Sequence, residues 1–255
     1  MLKIRVIPTL LLRDAGLVKG SLFKDHKYVG DPINAVKIFN DKEVDELIFL
    51  DISATQKKRE PNYELIKDIA SEAFMPFSYG GGITSVTQIE KLFNIGVEKV
   101  IINSSAFFSP TLITDASKVA GNQSILVSID ARRSIFGKYE VFINNGSVST
   151  KFNPIDYAKR MQDLGAGELM ICSINQEGTR KGYDLELVRM VSNAVEIPVI
   201  ASGGAGSLND LHDAIKKANA SAVAVGDMFV FHGKHKAVLI TYPKYKELQL
   251  LFNEI

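Results

Sequence analysis

The segment Pro76-Phe77-Ser78-Tyr79-Gly80-Gly81-Gly82 returns as Pro198-Val199-Ile200-Ala201-Ser202-Gly203-Gly204, each position shifted by 122. Glu46-Leu47 followed by Asp51-Ile52 returns with the same shift as Glu168-Leu169 followed by Ser173-Ile174, and Leu10-Leu11 aligns with Ile129-Asp130 at a shift of 119. A 255-residue chain with two copies of one pattern reads as two fused halves, so the fold has to close them around a shared core. Short Val/Ile/Leu-rich runs fill both halves, at residues 4–10, 46–51, 75–79, 99–102, 124–130, 168–173, 198–201 and 222–225. Continuous apolar runs of this length read as strands buried on both faces.

Between the runs lie stretches with apolar residues at helical spacing, among them 63–72, 86–93, 154–163 and 208–217. Asp31-Pro32, Ser109-Pro110 and Asn153-Pro154 each set a capping side chain before a proline suited to the first helical position, and Ser85 with Gln88 reads as a capping box. Eight such units predict an α/β fold, a (β/α)8 barrel built from two half-barrels, as one domain over residues 1–255.

Charge and cysteine content narrow the function. Lys and Arg number 30 against 29 Asp and Glu, a net +1 that drives the chain onto neither nucleic acid nor an anionic membrane. The single cysteine, Cys172, forms no internal disulfide, and no cysteine-histidine cluster has metal-ligand spacing, so the expectation is a cytoplasmic protein without metal or cofactor. The apolar N-terminal stretch is interrupted by Arg5 and runs into Arg13 and Asp14 without a small-residue cleavage site, unlike a secretory leader.

Two glycine clusters, Gly80-Gly81-Gly82 and Gly203-Gly204-Ala205-Gly206, end strands and precede helix caps at Ser85 and Ser207. Glycine lets backbone approach a ligand closely, and barrel active sites gather at strand C-termini, so the pair reads as two phosphate sites across one mouth. Asn103-Ser104-Ser105 adjoins the first cluster and supplies donors; Gly226-Asp227 adjoins the second, where an ionised aspartate only accepts. Asp51 and Asp130, each expected at a strand end, and Lys19, expected in a long first loop that could act as a lid, are the titratable candidates there. At the opposite end Arg5, Glu46, Lys99 and Glu168 stand where buried strands begin, and charges entering a hydrophobic barrel have to pair.

Together these residues resemble the cyclase subunit of imidazole glycerol phosphate synthase, the HisF family. Matching segments are Val18-Lys19-Gly20, Phe49-Leu50-Asp51-Ile52, Gly80-Gly81-Gly82-Ile83, Ile129-Asp130-Ala131, Gly178-Thr179 with Gly182-Tyr183-Asp184, and Ala201-Ser202-Gly203-Gly204-Ala205-Gly206. The resemblance implies a phosphorylated small-molecule substrate, with Gly82, Asn103, Ser104, Gly178, Gly204 and Gly226 at the phosphates and Asp130, Asp51 and Lys19 at the chemistry. It also implies a HisH-like glutaminase partner docked at the floor beside Glu98, whose ammonia crosses a gate formed by Arg5, Glu46, Lys99 and Glu168.

Departures from the family pattern gather at the mouth. Of the family's two acid–base aspartates the second matches Asp130, whereas the first falls at Leu11, which can neither give nor take a proton. The family's Asp-Gly-Arg becomes Asp14-Ala15-Gly16, two aspartates become Asn175 and Glu177, and a phosphate-binding serine becomes Asp227. This asymmetry resembles the divergent HisF-like proteins of surface-polysaccharide and flagellar sugar loci, in which a glutaminase–barrel pair supplies ammonia to a separate sugar amidotransferase forming an acetamidino group. The alternative is a working cyclase of histidine biosynthesis resting on Asp130, and a third reading is a phosphate-binding scaffold without ammonia traffic.

Overall fold

The computed structural model describes residues 4–233 and 235–253. In chain order the elements of the first half are β1 (Arg5–Arg13), β2 (Gly16–Ser21), β3 (Lys24–Gly30), α1 (Pro32–Asp41), β4 (Leu47–Asp51), α2 (Tyr63–Glu72), β5 (Phe77–Gly80), α3 (Val86–Ile95), β6 (Lys99–Ile102), α4 (Ser104–Phe108) and α5 (Thr111–Ala120). The second half holds β7 (Ile125–Arg133), β8 (Tyr139–Ile143), β9 (Val148–Ser149), α6 (Pro154–Asp163), β10 (Glu168–Ser173), α7 (Leu185–Ser192), β11 (Val199–Ser202), α8 (Leu208–Ala218), β12 (Ala222–Val225) and α9 (Asp227–Val230), followed by β13 (Phe231–His232), β14 (Ala237–Val238) and α10 (Tyr245–Asn253).

Eight parallel strands close in the order β10-β11-β12-β1-β4-β5-β6-β7, with β7 paired back to β10. This is the (β/α)8 barrel expected from the alternation of buried runs and amphipathic stretches. The pairing carries the repeat into three dimensions. Leu12 faces Asp51 as Ala131 faces Ser173, and Pro8 faces Val225 on the other side of β1 as Val127 faces Ile102 beside β7. Because matching strands lie four places apart around the barrel, β1 stands across from β7 and β5 across from β11.

Inward-facing residues recur every second position along a strand. Arg5, Ile7, Thr9 and Leu11 therefore line the axis from floor to mouth over about 20 Å of strand. Between the two ends Ile7, Ile48, Ile101, Leu126, Met170, Ile200, Ala222 and Ala224 fill the interior as one apolar cluster. Two larger clusters pack the outer strand faces against the helices, the first built around residues such as Phe39, Phe49 and Tyr157, the second around Val6, Leu211 and Phe229.

Local expectations divide. Asp31 and Asn153 cap α1 and α6 by accepting from Asn34 N–H and Asp156 N–H, each ahead of its proline. Ser109 does not cap α5, because Pro110 occupies the N-cap position and no side-chain cap bond forms. Ser85 accepts from Gln88 N–H, but Gln88 Oε1 accepts from the N–H of Thr84 at 2.7 Å, so the reciprocal box fails by one residue. The long first loop is a β-hairpin arm: β1 runs on into β2 and β3 as antiparallel pairs. Asp130 likewise lies inside β7, which continues into an antiparallel pair with β8.

Candidate active site at the barrel mouth

The strand C-termini open into one concave cleft. It gathers Leu11, Lys19, Asp51, Asp130, Gly82, Asn103, Ser104, Gly178, Gly204 and Gly226 on one surface, whereas Asp14, Ala15 and Gly16 lie off it and Asn175 lines a separate hollow beside Arg133 and Glu186. Phe23 and His26 join them from the arm, and Glu177 from the loop after β10. Sequence reasoning did not single out Phe23 or His26, since neither lies in a motif.

Asp130 and Asp51 have opposite environments. Asp130 is 9% exposed, and its Oδ2 accepts from Asn103 Nδ2 at 3.2 Å. Burial pushes its pKa up to about 7; the Asn103 bond pulls it down and the nearby Glu177 charge adds to the rise. A carboxyl poised there is half protonated near neutrality, as a general acid or base requires. Asp51 Oδ1 instead accepts from Ser53 N–H, Ser53 Oγ and Ala54 N–H at 2.9–3.0 Å, while Arg59 Nη2 binds Oδ2 at 2.8 Å. Its lone pairs are taken up in anchoring the turn after β4.

Lys19 is buried and forms an ion pair with Glu177. Leu22 N–H donates to Glu177 O at 2.9 Å, so one residue of the β10 loop holds the arm both by charge and by backbone. Gly178 completes this clasp. A Cβ there would meet Gly20 O at 2.5 Å, so its glycine is required by the arm itself. Burial and the adjoining Arg13 both lower the His26 pKa.

The two glycine clusters lie on opposite sides of the cleft. Gly82 has φ +71, and a Cβ on it would meet Arg59 O at 2.5 Å; Gly204 has φ +113, and its Cβ would meet Gly182 O at 2.1 Å. Both are fixed by turn geometry and by contact with their own chain. Beyond them the sites differ. Ser104 Oγ donates to Asn103 Oδ1 at 3.2 Å and accepts from Asn144 N–H at 3.0 Å. Asp227, shifted by 123 from Ser104, has its carboxylate paired with Arg180 and Lys236. Neither cation was read from the sequence, and Lys236 carries no local signal.

At the floor, the four charges form a closed ring. Arg5 bonds Glu46 at 2.7 Å and also pairs with Glu168; Lys99 reaches Glu46 at 3.4 Å and Glu168 at 3.0 Å. Ser78 Oγ donates to Glu46 Oε1 at 3.1 Å from inside the barrel. Burial disfavours the Arg5 charge, but the bonds and charges of Glu168 and Glu46 outweigh it and raise its pKa. Glu98, next to Lys99, is exposed on the same face.

Residues 5–236 match the family described as histidine biosynthesis protein. The chain belongs to that family. It is HisF-like: a Pseudomonas aeruginosa protein named "Putative imidazole glycerol phosphate synthase subunit hisF2" is 50% identical over 98% of this chain and 100% of its own length. A Leptospira interrogans protein named "Putative imidazole glycerol phosphate synthase subunit HisF" is 45% identical over 99% of this chain and 100% of its own. The imidazole glycerol phosphate synthase subunit HisF of Alkaliphilus metalliredigens is 40% identical over 91% of this chain and 92% of its own. In this HisF-like barrel, no described helix is long and apolar enough to cross a membrane, and no group of three or more His, Cys, Asp or Glu side chains among the described residues is placed to hold a metal ion.

Proposed function

We propose that this barrel, acting as one unit in the cytoplasm, is the ammonia-conducting subunit of a two-subunit glutamine amidotransferase, and that its ammonia serves nucleotide-sugar amidination rather than imidazole formation. A HisH-like glutaminase docks at the floor, beside Glu98, and the ring of Arg5, Glu46, Lys99 and Glu168 gates entry. Ammonium would have to shed water to cross the apolar interior, whereas neutral ammonia crosses it at little cost, so the apolar cluster acts as a filter for the neutral form. The four ion pairs close the floor, so opening requires at least one to part when the glutaminase binds. At the mouth a phosphorylated ligand binds along Gly82, Asn103 and Ser104, with Asp130 as proton donor or acceptor, and a separate sugar amidotransferase uses the ammonia.

The observation that carries this reading is Leu11. It lines the cleft across the barrel from Asp130, at the matching register position, so ring closure by an acid–base pair has only one member. Loss of a positioned acid or base costs 10²–10⁴-fold in rate. The test is turnover of the bis-phosphorylated cyclase substrate by the purified protein in excess ammonium salt, which needs no glutaminase. Turnover at least about 10²-fold below that of a HisF with both aspartates is expected. A rate matching such an enzyme overturns the reading and favours the working cyclase, for which the poised Asp130 is the supporting observation.

A further inference from the structure

We infer that the mouth takes a ligand with one phosphate rather than two, because the second glycine pocket already holds an anion of its own, the carboxylate of Asp227. The inference rests on the reading above only for the first pocket. Two observations carry it for the second.

The first is the internal comparison. Ser104 and Asp227 hold equivalent places after β6 and β12, yet one is a hydroxyl able to donate and the other a carboxylate with a side chain 3% exposed. An incoming phosphate would meet a buried carboxylate already matched to its own cations where the first pocket offers a hydroxyl.

The second is the fate of the nearby cations. Arg180 donates Nε to Asp227 Oδ1, and its Nη2 to the carbonyl oxygens of Asp227 at 2.9 Å and Phe231 at 2.7 Å. Lys236 Nζ lies 3.1 Å from Asp227 Oδ2 and 3.4 Å from Gly178 O. Arg180 Nε and Nη2 are turned onto the protein, and drawing Arg180 and Lys236 to a ligand would strip the buried Asp227 of both counter-charges.

The second pocket is thus built for its own salt bridge. The ligand class that fits the cleft has a phosphate at one end and an uncharged group at the other.

The test counts inorganic phosphate bound per chain, by calorimetric titration of the full-length protein and of Asp227→Ser, with Asp227→Asn as a variant that keeps the side-chain shape while removing the charge. Wild type is expected to bind one phosphate, and either variant a second, at least about tenfold more tightly than wild type binds at that site. Should wild type bind none and the variants one, the first-pocket reading fails while the Asp227 assignment stands. Two phosphates on wild type, or no gain in a variant with an unchanged circular dichroism spectrum, overturns it.

Discussion

The two halves of the barrel agree in backbone and disagree in charge at both ends: the floor takes Arg5, Glu46 and Lys99 from the first half and Glu168 alone from the second, where Ser124 and Ala222 stand in the places of Arg5 and Lys99. Ile52 N–H donates to Leu12 O at 3.0 Å in the first half, as Ile174 N–H donates to Ala131 O at 2.9 Å in the second. Both halves set a glutamate at the floor, Glu46 and Glu168. At the mouth Leu11 stands against Asp130, Asp51 against Ser173, and Ser104 against Asp227. The two ends differ in how the groups are tied. Each floor glutamate is shared by two cations, and each cation by two glutamates, so changing one leaves buried charge unbalanced. At the mouth each residue has its own local partner, Arg59 for Asp51 and Arg180 with Lys236 for Asp227, so a side chain can change together with its neighbour.

The largest test of that contrast is the pH dependence of stability at Asp130. Its folded pKa of about 7 stands above the unfolded carboxyl value of 3.8, so the folded state binds the extra proton between these values. The contribution is fully present below the unfolded pKa and is lost as pH rises through 7, by about 4 kcal/mol in all. Asp130→Asn removes the titration. Urea unfolding at pH 4 and pH 8 is expected to show wild type losing stability relative to the variant by about that amount. Parallel profiles would place Asp130 in water and void the mouth as a dry site.

Glu168→Ala follows, at about 3 kcal/mol of lost stability by urea unfolding, because Arg5 and Lys99 would then share Glu46 alone. The double change Glu168→Ala with Arg5→Met should recover part of the loss by removing one of the two competing cations. Additive losses from the two changes would show Arg5 and Glu168 to be uncoupled, and the account of the floor as a shared network would fail.

Leu11→Asp comes third. It adds a carboxylate to the cleft and so costs about 1–2 kcal/mol at neutral pH. It brings at most partial cyclase activity, since Asp227 and Asn175 remain. Full recovery from that single change would mean that the rest of the mouth never diverged.

Much of this was legible beforehand, for reasons specific to each element. The strands of both halves were readable because β-strands buried on both faces are continuous apolar runs, and α2 and α6 because their apolar residues keep helical spacing between capping asparagines and polar ends. The repeat placed Leu11 and Asp130 at matching positions before any coordinates did. The arm was misread as a loop because its turn sets non-glycine residues Leu22 and Phe23 at φ 53 and φ 62, where turn residues such as Asn-Gly are the usual signal. Arg180 and Lys236 escaped notice because ion pairing across 47 and 9 residues leaves no periodic trace.

The smallest prediction asks whether the halves diverged by single residues or by pairs. Asn103 precedes α4 on the strand beside β7, and its amide bonds Asp130. The equivalent place beside β1 is Gly226, which has no side chain to offer, and Leu11 has no charge to receive one. Lys19 uses the vacant space instead: a Cβ on Gly226 would come within 3.1 Å of its Nζ. If amide and carboxylate belong together, Asn103→Ala should lift the Asp130 midpoint above 7, since its bond holds the charged form down, by an amount worth about 1 kcal/mol or less. A carbon-13 titration of the Asp130 carboxyl reads this directly. An unmoved midpoint would leave burial and the Glu177 charge in control of Asp130, and would make the glycine at 226 a consequence of Lys19 packing rather than of the loss of charge at Leu11.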